Sequence, residues 1–158
     1  MKSGLNPAEL IIYTDGSCHT QKRFGAWVAI VLFNGREIIL QGSEADTSHH
    51  RMELMAVINA IQYVDNSIGG KIVLQIFTDS QYVVGLPARQ LKLLAGDFKT
   101  KGGKFLQHAD QIKSFYQLLK MHSVVLHKVK AHQPTGEAIN YNEVADQLAR
   151  SIVRAAVK

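Results

Sequence analysis

Two short apolar runs, each halted by an acid and a small residue, constrain this chain more than any other feature. Leu10–Thr14 (LIIYT) runs into Asp15-Gly16-Ser17, and Lys71–Thr78 (KIVLQIFT) runs into Asp79-Ser80. Continuous apolar runs of this length, rich in β-branched residues, are the pattern of buried strands. Each acid is therefore expected at the carboxyl end of a buried strand. Ligands collect outside the carboxyl ends of parallel strands, so if these two strands lie parallel and adjacent, both carboxylates face one crevice.

The remaining elements fit around that pair. Gly25–Phe33 and Arg36–Gln41 read as strands joined by Asn34-Gly35, a dipeptide that supplies the positive φ angles of a tight hairpin. After Asp46-Thr47-Ser48, which offers several N-cap oxygens, Arg51–Tyr63 carries Leu54, Ile58 and Ile61 at helical spacing. From Ser80 to Met121 the pattern is helical but broken, at Pro87 and again over Gly96–Lys104, before a helix resumes at Gln107. A strand at Val124–Val129 precedes a last helix with Val144, Leu148 and Ile152 on one face, opened by Asn140 and Glu143 in a capping-box arrangement. Three strands, a helix, a strand, helices, a strand and a helix make an α/β fold, a mixed sheet with helices packed on it.

With 158 residues, 46% of them hydrophobic, the chain has enough apolar material for one core. The expected division is a tail over residues 1–9 and a single domain over 10–158. Lys and Arg number 18 against 13 Asp and Glu, and the net charge of +5 points to a polyanionic partner. The lone cysteine, Cys18, excludes an internal disulfide, so a cytoplasmic location is expected. No apolar run approaches the roughly 20 residues needed to span a bilayer, and the first residues lack the apolar core of a leader.

Chemistry enters with the acids. Two carboxylates brought within a few ångströms repel each other unless a proton or a cation intervenes. Glu53 adds a third, because its helical neighbours Ala56 and Val57 mark a face turned toward the sheet. Asp146, beside Ala145 and Ala149 early in the last helix, adds a fourth. An all-oxygen set without a Cys/His cluster suits a hard cation such as Mg²⁺ or Mn²⁺ rather than zinc.

YTDGSC, RMELMA, FTDSQYV, VKAH and NEVADQLA follow one another in the order found in ribonuclease HI, the type 1 ribonuclease H family, which this chain resembles over nearly its whole length. The resemblance implies a ribonuclease H-like fold, a five-stranded mixed sheet flanked by helices. It also implies a monomeric endonuclease that hydrolyses the RNA strand of RNA/DNA hybrids without an obligatory protein partner. Asp15, Glu53, Asp79 and Asp146 would bind two Mg²⁺ ions, with Mn²⁺ as a substitute, and His132 would assist proton transfer or product departure. The products would carry 5′-phosphate and 3′-hydroxyl ends.

Substrate contacts are expected from Gly16, Ser17, Cys18, Ser80 and Gln81. His49 and His50, standing where the family often has two Asn, are expected to hydrogen-bond to or stack on the nucleic acid. Lys99 and Lys101, in the basic stretch Arg89–Lys104, resemble the family's DNA-gripping protrusion without its tryptophans. Two alternatives are another nuclease or strand-transfer enzyme of this fold, and a hybrid- or RNA-binding module without catalysis. Four clustered acids speak against the second, because negative charge facing phosphate gives a pure binder nothing.

Overall fold

The computed structural model describes residues 8–130 and 139–158. Five strands, β1 (Ala8–His19), β2 (Phe24–Phe33), β3 (Arg36–Glu44), β4 (Ile72–Thr78) and β5 (Ser123–Lys128), form one sheet in the order β3-β2-β1-β4-β5. The helices are α1 (His49–Ser67), α2 (Gln81–Ala95), α3 (Ala109–Met121) and α4 (Tyr141–Ala156). The β1–β2 and β2–β3 pairs are antiparallel, whereas β1–β4 and β4–β5 are parallel. The expected mixed sheet and the parallel, adjacent placement of the two acid-terminated runs are both present.

Side-chain alternation along the strands divides the core in two. Leu10, Ile12, Ala29, Val31, Leu74 and Ile76 pack against α1, α2 and α3. On the opposite face Val28 and Ile30 pack with Ala145 and Ala149 of α4, and half-buried Tyr13, Val144, Leu148 and Ile152 surround them. The β2–β3 hairpin turns on Asn34 and Gly35 at φ of 51° and 74°, the two positive angles its sequence demands.

Of the candidate caps for α1, Ser48 serves: its Oγ accepts the N–H of Arg51 at 3.3 Å. Asn140 does the same for α4, accepting the N–H of Glu143 at 3.2 Å. Helix α1 buries Met52, Leu54, Val57, Ile58, Ile61 and Val64. At about 1.5–3 kcal/mol for each large apolar side chain, that face outweighs the several kcal/mol charged to a buried carboxylate. Glu53 can therefore be carried inside on the same helix.

Two expectations are corrected. Asp15 does not end a strand: β1 runs on through Asp15-Gly16-Ser17 to His19 because those residues pair with β2, from Asp15 opposite Val28 to His19 opposite Phe24. Only the parallel ladder to β4 stops there, at Tyr13 opposite Phe77. Cross-strand pairing has overridden the turn preference of Asp-Gly. Nor does Pro87 break the chain's helical run. It lies inside α2, where burial of Val83, Leu86 and Leu93 holds the helix despite the backbone hydrogen bond that proline removes. The break comes at Gly96, after which Asp97 and Phe98 take positive φ.

Candidate active site

The first acid stands where β1 leaves the parallel ladder. Asp15 is buried at 3% exposure on the same side of the sheet as Tyr13, and its Oδ1 accepts the N–H of Gly16 at 2.8 Å. Asp79 follows the last residue of β4, at the junction with α2, and is half-buried. Glu53 enters from α1, 5% exposed. Asp15, Glu53 and Asp79 each place an oxygen within 4.8 Å of the others. Asp146 lines the same crevice from α4, with its Oδ1 paired to Arg150 Nε at 3.1 Å. The crevice is open and about 490 Å³ in volume, walled also by Gly16, Ser17, Cys18, His19 and His49.

Gly16 determines how close α1 can come. A Cβ at that position would lie 2.5 Å from the backbone N of Glu53 and 2.6 Å from the carbonyl carbon of Met52. The missing side chain thus lets α1 pack against β1 at the very residue that carries the third acid. Its function here is close approach rather than a turn.

The electrostatics follow from this crowding. Burial, then the charge of Asp79 and that of Asp146, push the Asp15 carboxyl well above the usual carboxylate range, against the N–H of Gly16 that pulls it down. Asp79 is raised too, by burial first and then by Glu53 and Asp146, while His49 opposes the shift. His49 is itself raised, mainly by its hydrogen bond to Glu53 and against burial, with help from the nearby acids. The donors are all oxygen, and the site carries more negative charge than it neutralises. Those are the conditions that fit a hard divalent cation.

Because both raised carboxyls bind protons more tightly folded than unfolded, their contribution to stability is full below the ordinary carboxylate pKa near 4 and is lost as pH rises through their raised values. In EDTA, the melting temperature of the wild type should fall from pH 5 to pH 8 relative to an Asp15→Asn/Asp79→Asn variant. Calorimetric scans over that range check it; parallel slopes for the two proteins would contradict the shifts.

The other predicted residues scatter more widely. Ser17 and Cys18 line the crevice, and burial raises the Cys18 thiol pKa. Ser80 is buried, its Oγ donating to Glu53 Oε1 at 2.6 Å, which turns it inward from the groove it was expected to face. Gln81 is exposed in the first turn of α2. His49 Nε2 pairs with Glu53 Oε2 at 2.9 Å, whereas His50 stacks flat on Tyr82 with ring centroids 4.3 Å apart. Lys99 and Lys101 are exposed on the loop between α2 and α3, away from the acids in sequence; Lys99 also approaches Asp97 at 3.8 Å and lies over the Phe105 ring. His132 falls outside the described residues.

Sequence reasoning missed Arg150 and Arg154, which line the crevice from α4. Their i+4 and i+8 spacing from Asp146, one face of a helix, was the available signal.

An RNase H family profile matches residues 7–154, nearly the whole chain. The ribonuclease H of Ehrlichia chaffeensis is 35% identical over 156 residues, covering 98% of this chain and 100% of its own length. That of Caldicellulosiruptor saccharolyticus is 30% identical over 148 residues, covering 92% and 97%. The chain belongs to the ribonuclease H family, a family of nucleases.

Solved structures share the fold. LC9-RNase H1, a type 1 RNase H with the type 2 active-site motif, superposes with a TM-score of 0.78 at 22% identity, covering 97% of this chain and 75% of its own. LC11-RNase H1, solved in complex with an RNA/DNA hybrid, gives 0.68 at 15% identity, covering 94% and 99%.

Proposed function

We propose that this chain is an endonuclease that hydrolyses the RNA strand of RNA/DNA hybrids, leaving 5′-phosphate and 3′-hydroxyl ends. The observation that carries the reading is the meeting of Asp15, Glu53 and Asp79 within 4.8 Å, with Asp146 on the same crevice, in a chain of the ribonuclease H family. These four acids would hold two Mg²⁺ ions, or Mn²⁺ in their place. When bound, such ions supply Lewis-acid stabilisation of the phosphoryl and leaving oxygens and lower the pKa of water.

The protein's own part is positioning and charge. The acids draw cations, and the cations in turn reconcile the crevice with a polyanion. Gly16, Ser17 and Cys18 bring backbone close to the hybrid's shallow groove, where 2′-hydroxyls distinguish RNA from DNA. Gln81 and the exposed Lys99 and Lys101 offer further contacts, the lysines through phosphates and therefore in a salt-dependent way. His132 assists proton transfer or product departure. Residues 10–158 act as a single domain and a monomer, and a cytoplasmic site of action suits the lone thiol of Cys18. Among the described residues no helix is long and apolar enough to cross a membrane.

The test uses hybrids labelled on either strand, beside single-stranded RNA and duplex DNA. Only the RNA strand of the hybrid should be cut. The products should accept 5′ label only after dephosphorylation and should prime a polymerase directly. Cyclic-phosphate ends, or a cut DNA strand, would refute the mechanism; tight binding without cutting in Mg²⁺ and Mn²⁺ would favour the binding-module alternative.

A further inference from the structure

Both oxygens of Glu53 are engaged, by donors held in very different ways. Oε1 accepts the hydroxyl of Ser80 at 2.6 Å, and Oε2 pairs with Nε2 of His49 at 2.9 Å. Ser80 is 3% exposed, and the same Oγ accepts the N–H of Val83 at 3.1 Å, capping α2. Its backbone N–H donates to Thr78 Oγ1 at 3.1 Å, which fixes it to the end of β4. His49, by contrast, is the first residue of α1, with a side chain 54% exposed beside the crevice. One donor is locked at a strand–helix junction, and the other is a largely exposed side chain at a helix start.

A capping residue need only accept, and Asp, Asn or Gly would cap here as well. Asp would set another negative charge against Glu53, and Gly has nothing to donate. A hydroxyl accepts from Val83 and donates to Glu53 through one atom. That dual use ties the start of α2, directly after Asp79, to a carboxylate on α1. It fixes the relative positions of two of the four acids.

We propose that Ser80 is a positioning residue for the metal centre. It commits Oε1 of Glu53 to the protein and presents Oε2 to the crevice, where His49 is a replaceable occupant that a divalent cation displaces. This rests on the reading of the crevice as a metal centre, and goes beyond it by giving Ser80 and His49 tasks other than substrate contact. Partners that orient ligating carboxylates typically govern metal affinity by 10- to 100-fold.

The experiment is Mn²⁺ titration calorimetry on the full chain without nucleic acid, paired with melting curves in EDTA. Ser80→Gly, which removes the donor where an N-cap tolerates glycine, should weaken Mn²⁺ binding by about tenfold or more with little change in melting temperature. Ser80→Ala should lose the same affinity with a larger drop in melting temperature, and Ser80→Thr should bind close to wild type. In a Glu53→Gln background, Ser80→Gly should have no further effect, and His49→Ala should bind Mn²⁺ as tightly as wild type or more so.

Wild-type affinity in Ser80→Gly and Ser80→Ala would overturn the proposal. So would an undiminished effect in the Glu53→Gln background, which would place Ser80's influence on α2 alone. Weaker binding in His49→Ala would make His49 a supporting partner instead of a displaceable one. If the wild type itself binds no Mn²⁺, the metal-centre reading fails, and the proposal with it.

Discussion

Replacing Asp15 with asparagine is expected to abolish hybrid cleavage while making the metal-free protein more stable. Asp15 is the most crowded of the acids, buried, 3% exposed, and pressed by Asp79 and Asp146. Without a cation its carboxyl is held largely by a proton, at a free-energy cost that a neutral amide of the same shape avoids. The loss of an anionic oxygen from the cation site removes several kcal/mol of charge stabilisation at the reacting phosphate, which corresponds to a drop of about a thousandfold or more in rate. In EDTA the melting temperature should rise by about 2–4 °C for each kcal/mol of repulsion relieved. Single-turnover rates with scans in EDTA check both halves. An active variant, or an inactive one that is also less stable, would mean that Asp15 is a structural residue.

Gly16→Ala should produce the opposite pairing, loss of stability together with loss of activity. The added methyl would meet backbone atoms of Glu53 and Met52 at 2.5 and 2.6 Å, and backbone in a packed helix cannot step aside as a flexible side chain can. Helix α1 must withdraw by about an ångström to restore ordinary contact, and overpacking of this kind costs about 1–3 kcal/mol or more. Glu53 moves with the helix. A displacement of about 1 Å at a site that works by positioning costs about a hundredfold in rate. Chemical denaturation and cleavage rates measure the two effects, and an alanine variant that is fully stable and active would contradict the close approach of α1 to β1.

These two neighbours show what was legible in the sequence and what was not. Asp15 and Asp79 could be found because each follows a continuous apolar run, and period and composition are local properties. Their adjacency was only a condition of that reading, and the parallel β1–β4 ladder meets it. The role of Gly16 could not be read that way, since Asp-Gly-Ser has the composition of a turn and only pairing across the sheet, with Val28, Trp27 and Ala26 of β2, keeps it extended.

Glu53 and Asp146 were visible through small apolar neighbours and motif order. Ser80 and His49 were assigned to the groove, because sequence shows which residues flank an acid and not which way a hydroxyl or a ring turns. The contact that turns Ser80 inward joins α1 to the β4–α2 junction, 27 residues apart for Ser80 and Glu53, whereas His49 reaches Glu53 one turn along its own helix. Pro87 misled for a related reason: its local cost is real, but the burial that offsets it comes from elements distant in sequence.

If these acids form a metal-dependent centre for cutting RNA in a hybrid, cleavage depends on both the cation and the carboxylates that hold it. The most direct measurement is the rate of cleavage of an RNA-labelled hybrid by EDTA-stripped protein as Mg²⁺ is added back, for the wild type and for Asp79→Asn. EDTA should abolish cutting, Mg²⁺ should restore the wild type, and the variant should not recover. Cutting that persists in EDTA, or a variant restored to the wild-type rate, would contradict that dependence.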